Sequence, residues 1–141
     1  IMNIHVKIWD AVKGSPEAGV PMLKEIVALI REYGCERHAY FMSGNENALA
    51  AAKNYAPEIA VCVGAGGEPY TIVDRAIKIG AKKVQLFKPY FTKEMIEKAH
   101  ANGIKCNVFY ADDPKEARRY LDMGVDTILT NDFLSIKQIV K

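Results

Sequence analysis

Met2-Asn3-Ile4-His5-Val6-Lys7-Ile8-Trp9 is the stretch that decides between two folds. Side chains alternate along a strand, so Ile4, Val6 and Ile8 share one face and Asn3, His5, Lys7 and Trp9 share the other. The apolar face can pack on helices. The opposite face must meet water, a ligand or a counter-charge, because burying an unpaired Lys is very costly. A strand covered on both sides in an open parallel sheet reads as almost wholly apolar. This one does not. A polar interior toward one end of the sheet is the habit of a (β/α)8 barrel, whose active sites lie at the C-terminal ends of the strands.

Five further apolar runs of strand length follow, at residues 38–42, 59–63, 83–87, 106–110 and 127–129. Gln85 and Asn107 again place polar side chains inside otherwise apolar runs. The segments between the runs carry helical spacing. Met22, Leu23, Ile26, Val27 and Ile30 form the first stripe, Ala48, Leu49 and Ala52 the second, and Ile72, Val73, Ala76 and Ile77 the third. Met95, Ile96 and Ala99 mark the fourth, Ala117, Tyr120 and Leu121 the fifth, and residues 134–140 the last. Gly34, Gly80, Gly103 and Gly124 each close a helix just before a strand. Ser15-Pro16 and Asp113-Pro114 read as N-caps followed by Pro at the first helical position, and Glu116 completes a capping-box analogue with Asp113. The expected fold class is therefore α/β: a partial (β/α)8 TIM barrel of about six parallel βα units. A doubly wound open sheet, with helices on both faces, is the competing arrangement.

The chain has 141 residues, half of them hydrophobic, and a net charge of +2. That excludes disorder and fits a single βα-repeat domain over residues 1–141. No apolar stretch is long enough for a membrane span, and the balanced charge gives no case for nucleic acid. No secretory signal precedes the first strand, so a cytoplasmic location is expected. Cys35, Cys62 and Cys106 read as reduced structural thiols. His38 and His100 have no Cys or carboxylate at metal-site spacing, and Lys82-Lys83 and Arg118-Arg119 read as solvated surface. No Gly-x-Ser-x-Gly elbow is present.

Four segments carry a family pattern. Asn3-Ile4-His5-Val6-Lys7 sits at the place of a strand ending Glu-x-Lys, and residues 48–57 at the place of a following helix that ends in Pro. The segment from His100-Ala101-Asn102-Gly103 to Phe109 matches "aH..Gl.v..W", and Gly124-Val125-Asp126-Thr127-Ile128-Leu129-Thr130-Asn131-Asp132 matches "GVDGIiTD". In this order they resemble the C-terminal two-thirds of the glycerophosphodiester phosphodiesterase family, a PLC-like phosphodiesterase barrel. The resemblance implies hydrolysis of glycerophosphodiesters to an alcohol and glycerol 3-phosphate, part of lipid metabolism, with a divalent metal, Mg2+ or Ca2+. It makes Lys7 the expected catalytic residue, stabilising phosphoryl charge. Lys7, Lys88 and Phe109 become the expected phosphate- and substrate-binding residues, and His5 stands at the metal-side position. Hard cations prefer oxygen ligands, so an imidazole there departs from the pattern. The His-Arg-Gly, Glu-x-Asp and His-Asp motifs are absent from the sequence. A whole (β/α)8 barrel needs about 250 residues, so the chain is expected to be the C-terminal part of such a barrel and to have little activity alone. It is expected to be completed by an N-terminal portion or by self-association.

Two features stay open between chemistry and packing. Gly64-Ala65-Gly66-Gly67 is either a tight βα turn or a phosphate cradle. Asp112, Asn131 and Asp132 fall at strand ends, where Asp132 would also suit a helix cap.

Overall fold

A computed structural model of the chain describes residues 2–5, 20–64 and 66–140. Within them six strands form one sheet: β1 (Met2–His5), β2 (Ala39–Ser43), β3 (Ala60–Val63), β4 (Lys83–Phe87), β5 (Lys105–Phe109) and β6 (Thr127–Leu129). Helices follow in alternation: α1 (Val20–Glu32), α2 (Glu46–Tyr55), α3 (Ile72–Lys78), α4 (Lys93–Ala101), α5 (Pro114–Asp122) and α6 (Phe133–Lys137). Every neighbouring pair of strands is parallel, and the strand order in the sheet is the order in the chain. That order settles the fold. A doubly wound sheet reverses direction at a switch point and covers both faces. A sequential order with crossovers of one hand puts every helix on the same face and curls the sheet. The result is a curled half-barrel.

The register sorts the side chains. Asn3 pairs with Tyr40, His5 with Met42, Met42 with Cys62, Gln85 with Asn107, and Phe87 with Phe109. These residues line the concave face. The alternate residues Ile4, Phe41, Val61, Val63, Val84, Leu86, Cys106 and Val108 point outward into the main core with Leu23, Val27, Leu49, Val73, Ile96 and Ala117 from the helices. The first five helices thus bury most of the stripe read from their spacing, whereas the last buries only Ile136 and leaves Leu134 exposed.

The predicted stops and caps recur, with adjustments. Gly34, Gly80, Gly103 and Gly124 all have φ between 60° and 104°, the left-handed region in which a Cβ clashes. Asp113 caps α5 by accepting from Lys115 N at 3.1 Å, with Pro114 as the first helical residue. The capping box is a correction: Glu116 does not reach back to the cap, because its carboxylate is held by Lys88 and Tyr120. The last helix is shorter than its apolar pattern, ending at Lys137. The Ser15-Pro16 cap, Lys7 and the remainder of the first apolar run lie outside the described residues.

Phe41 is fully buried at the centre of the outer layer. Its replacement by Ala removes a large contact surface and leaves a cavity. Phe41→Ala is expected to lower unfolding stability by about 3–5 kcal/mol. Leu134→Ala, at a side chain 75% exposed, is expected to change it by less than about 0.5 kcal/mol. Urea unfolding of the two variants measures both.

Candidate active site at the strand C-terminal ends

Two of the expected site residues stand at neighbouring strand ends. Lys88 follows β4 and Phe109 closes β5, and the register pairs Phe87 with Phe109 directly. The Phe109 ring lies 5.4 Å from Phe87 and 5.5 Å, edge-on, from Tyr110. Cis peptide bonds follow both strands, at Lys88-Pro89 and Phe109-Tyr110. Phe109 and Tyr110, with Thr130, Asn131 and Phe133, line an open cavity of about 600 Å³.

Lys88 borders this cavity through Tyr110, whose ring centroid is 5.1 Å from Nζ. Its ammonium donates to Glu116 Oε2 at 2.7 Å, and Tyr120 Oη donates to Glu116 Oε1 at 2.9 Å. The hydrogen bond to Glu116 holds the Lys88 pKa above its ordinary value, and the same bond holds the Glu116 carboxyl below its own. Lys88 is a fixed cation with a carboxylate counter-ion, a pairing that sequence reading missed.

The other strand-end groups serve mainly as structure. Asp112 accepts from Thr130 Oγ1 at 2.8 Å, from Asn131 N at 2.7 Å and from Asn131 Nδ2 at 3.0 Å, tying the exits of β5 and β6 together. Asp132 caps α6 through Ser135 N. In the glycine loop, a Cβ on Gly64 would lie 3.0 Å from Met42 Cγ, so glycine is there for close packing. Arg75 then organises the loop: it donates to the carbonyls of Gly66 and Gly44 and to Glu46 Oε1. Arg75 went unnoticed in the sequence because its partners lie 9 to 31 residues away.

His5 is exposed on the concave face of β1, with β2, β3 and β4 between it and β5. Lys7 lies outside the described residues. An expected Mg2+ or Ca2+ needs several oxygen ligands. Among the described residues at this end, Asp112, Asp132, Glu46 and Glu116 are each engaged with hydrogen-bond donors of the protein. These residues do not fit a hard-cation site, and no step is assigned to one.

Two sequence readings need correction here. His100, expected to have no metal-site neighbour, lies 2.8 Å from Asp126 and near Cys106, at the opposite end of the sheet. Lys83 is half-buried, with Nζ 5.0 Å from the centroid of Tyr40 rather than out in solvent.

The sequence model of the Glycerophosphoryl diester phosphodiesterase family matches residues 2–134. The chain belongs to this family. Its fold resembles those of several solved structures. A candidate glycerophosphoryl diester phosphodiesterase from Silicibacter pomeroyi DSS-3 superposes with TM-score 0.79 at 19% identity, over 89% of this chain and 45% of its own. A candidate glycerophosphodiester phosphodiesterase from Galdieria sulphuraria does so with TM-score 0.79 at 21% identity, over 99% and 57%. A phosphodiesterase from Oleispira antarctica, solved with the product sn-glycerol-3-phosphate, gives 0.64 at 22% identity, over 72% and 41%. The chain thus spans about half the length of these family structures. No curated protein sequence matches it.

The Asp112 tie can be read in solution. Its hydrogen bonds from Asn131, then Thr130, hold the carboxyl pKa below its ordinary value. A depressed pKa means the tie is intact above the unfolded-state pKa and is lost as pH falls through the folded value. The NMR shift of the Asn131 amide should therefore titrate with a midpoint below about 3.9, and Asp112→Asn should remove that titration. A midpoint at or above the ordinary carboxyl value would count against the tie.

Proposed function

We propose that this chain is one βα-repeat domain forming the C-terminal part of a glycerophosphodiester phosphodiesterase barrel, and that it takes part in phosphoric diester hydrolysis. The family match over residues 2–134 carries the reading. In it, Lys7 and Lys88 hold the phosphoryl group and the Phe109–Tyr110 wall contacts the organic part of the substrate. The product seen in the Oleispira antarctica phosphodiesterase, sn-glycerol-3-phosphate, has both of these chemistries, an anion and a short carbon chain. His5 stands toward the metal side, and the metal itself is expected of the intact family.

Within this sequence the His-Arg-Gly, Glu-x-Asp and His-Asp motifs are missing. General acid–base transfer needs positioned groups of suitable pKa, so the 141 residues alone are expected to bind a phosphate ester without turning it over rapidly. The expected result is millimolar sn-glycerol 3-phosphate binding by NMR titration, with no rapid Mg2+- or Ca2+-dependent cleavage of glycerophosphocholine. Charge-assisted contacts are worth about 1.5–3 kcal/mol, so Lys7→Met should weaken binding by about ten- to a hundredfold. Rapid metal-dependent turnover by this chain would overturn the proposed division of labour, and absence of any binding would overturn the phosphate-site assignment.

A second reading is a non-catalytic module that self-associates. It is favoured by the exposed apolar groups beside both outer strands: Met2, Leu29 and Tyr33 near β1, and Phe133, Leu134 and Val140 near β6. Light scattering separates the readings, because a stable monomer at all concentrations removes this one.

A further inference from the structure

The end of the sheet opposite the candidate site holds a convergence that the phosphodiesterase reading does not use. His100 lies in the last turn of α4, Cys106 is the second residue of β5, and Asp126 immediately precedes β6. Three elements thus bring one nitrogen, one sulfur and one oxygen donor together, all within 4.8 Å of one another. Asp126 Oδ2 is the hinge of the group: it accepts from Cys106 N at 2.7 Å and lies 2.8 Å from His100 Nε2. Gly124 lies close by: a Cβ added there would stand 3.8 Å from His100 Cε1.

We propose that His100, Cys106 and Asp126 form a site for a borderline-soft divalent cation such as Zn2+. The donor set decides the class of ion. Imidazole with thiolate suits Zn2+ and Co2+ and disfavours Mg2+ and Ca2+, which seek oxygen. Distance allows it. Zn2+ bonds of about 2.0–2.3 Å in a tetrahedron place ligand atoms about 3.3–3.8 Å apart, so closure needs a shift of about 1 Å. Access allows it too. The His100 and Asp126 side chains are 41% and 29% exposed, whereas Cys106 is fully buried behind them. An ion therefore arrives from solvent, meets the sulfur last and keeps a fourth position for water. On binding, the metal–sulfur bond forms as the thiol S–H bond breaks, and the proton leaves to solvent. The site clamps α4 to the starts of β5 and β6, at the face of the barrel where structure rather than catalysis is expected.

Cobalt(II) titration of the purified 141-residue chain tests this directly. The expected result is one bound equivalent with a thiolate-to-cobalt charge-transfer band that Zn2+ then erases. Cys106→Ser should abolish the band. His100→Gln, at an exposed position that leaves the core packing intact, should weaken Co2+ binding at least about tenfold and remove the Zn2+-induced rise in Tm. Absence of the band in the unaltered chain overturns the site. So does a band that survives in Cys106→Ser, or an unchanged affinity in His100→Gln. None of these readouts depends on phosphodiesterase activity, so this proposal stands or falls separately.

Discussion

Each strand of this sheet hydrogen-bonds to the strand before it, and that constraint shapes everything else in the molecule. It sends every helix to one side. The outer face then acquires a continuous apolar core, while the concave face must be closed by the strands' own side chains. Tyr40, Met42 and Cys62 pack there as a small separate cluster. Gln85 and Asn107, 2% and 3% exposed, are tolerable only because they satisfy each other. Asn107 Nδ2 donates to Gln85 Oε1 at 3.3 Å, and the Cys62 thiol donates weakly to Asn107 Oδ1 at 3.8 Å. No buried side-chain nitrogen or oxygen among the described residues lacks a partner.

The same constraint explains where chemistry can be placed. The middle of the concave face is occupied by this layer, and the polar ties between elements lie at the strand ends. At the C-terminal end the strand exits are held by explicit ties: Asp112 joins β5 to β6, and Arg75 joins the loops after β2 and β3. Both groups are polar residues at strand ends or on a neighbouring helix, and both hold backbone atoms of the loops at this end. At the other end, Asp126 performs the equivalent task for α4, β5 and β6.

Most of the architecture was legible because it rests on local signals. The run at residues 83–87 and the stripe of Ile72, Val73 and Ala76 show their period within a few residues, and each helix-stop glycine marks its own boundary. The alternation around His5 and the buried polar positions Gln85 and Asn107 pointed to a barrel wall, and the strand order agrees. The site was less legible because its contacts are long-range. Lys88 and Glu116 are 28 residues apart, and His100 and Asp126 are 26 apart. Glu116 looked like a capping residue because Asp113 precedes it by three positions, a local pattern that a stronger distant partner overrides. His100 looked isolated for the same reason: metal-site spacing rules describe ligands on one loop or helix, not three elements meeting across a sheet.

The Lys88–Glu116 pair places a physical condition on any phosphate bound at this end. The two side chains are 33% and 25% exposed, so the pair is partly screened and its net worth is modest. A phosphate oxygen can therefore replace the carboxylate at Nζ at small cost. Glu116 is not stranded by the exchange, because Tyr120 Oη still donates to its other oxygen. Tyr110 limits the exchange geometrically. Its ring already stacks under the ammonium, so the anion must approach from the open side, where Phe109 and Asn131 line the cavity. The proposed phosphate role of Lys88 therefore rests on an exchange of anions at Nζ that a partly screened pair permits.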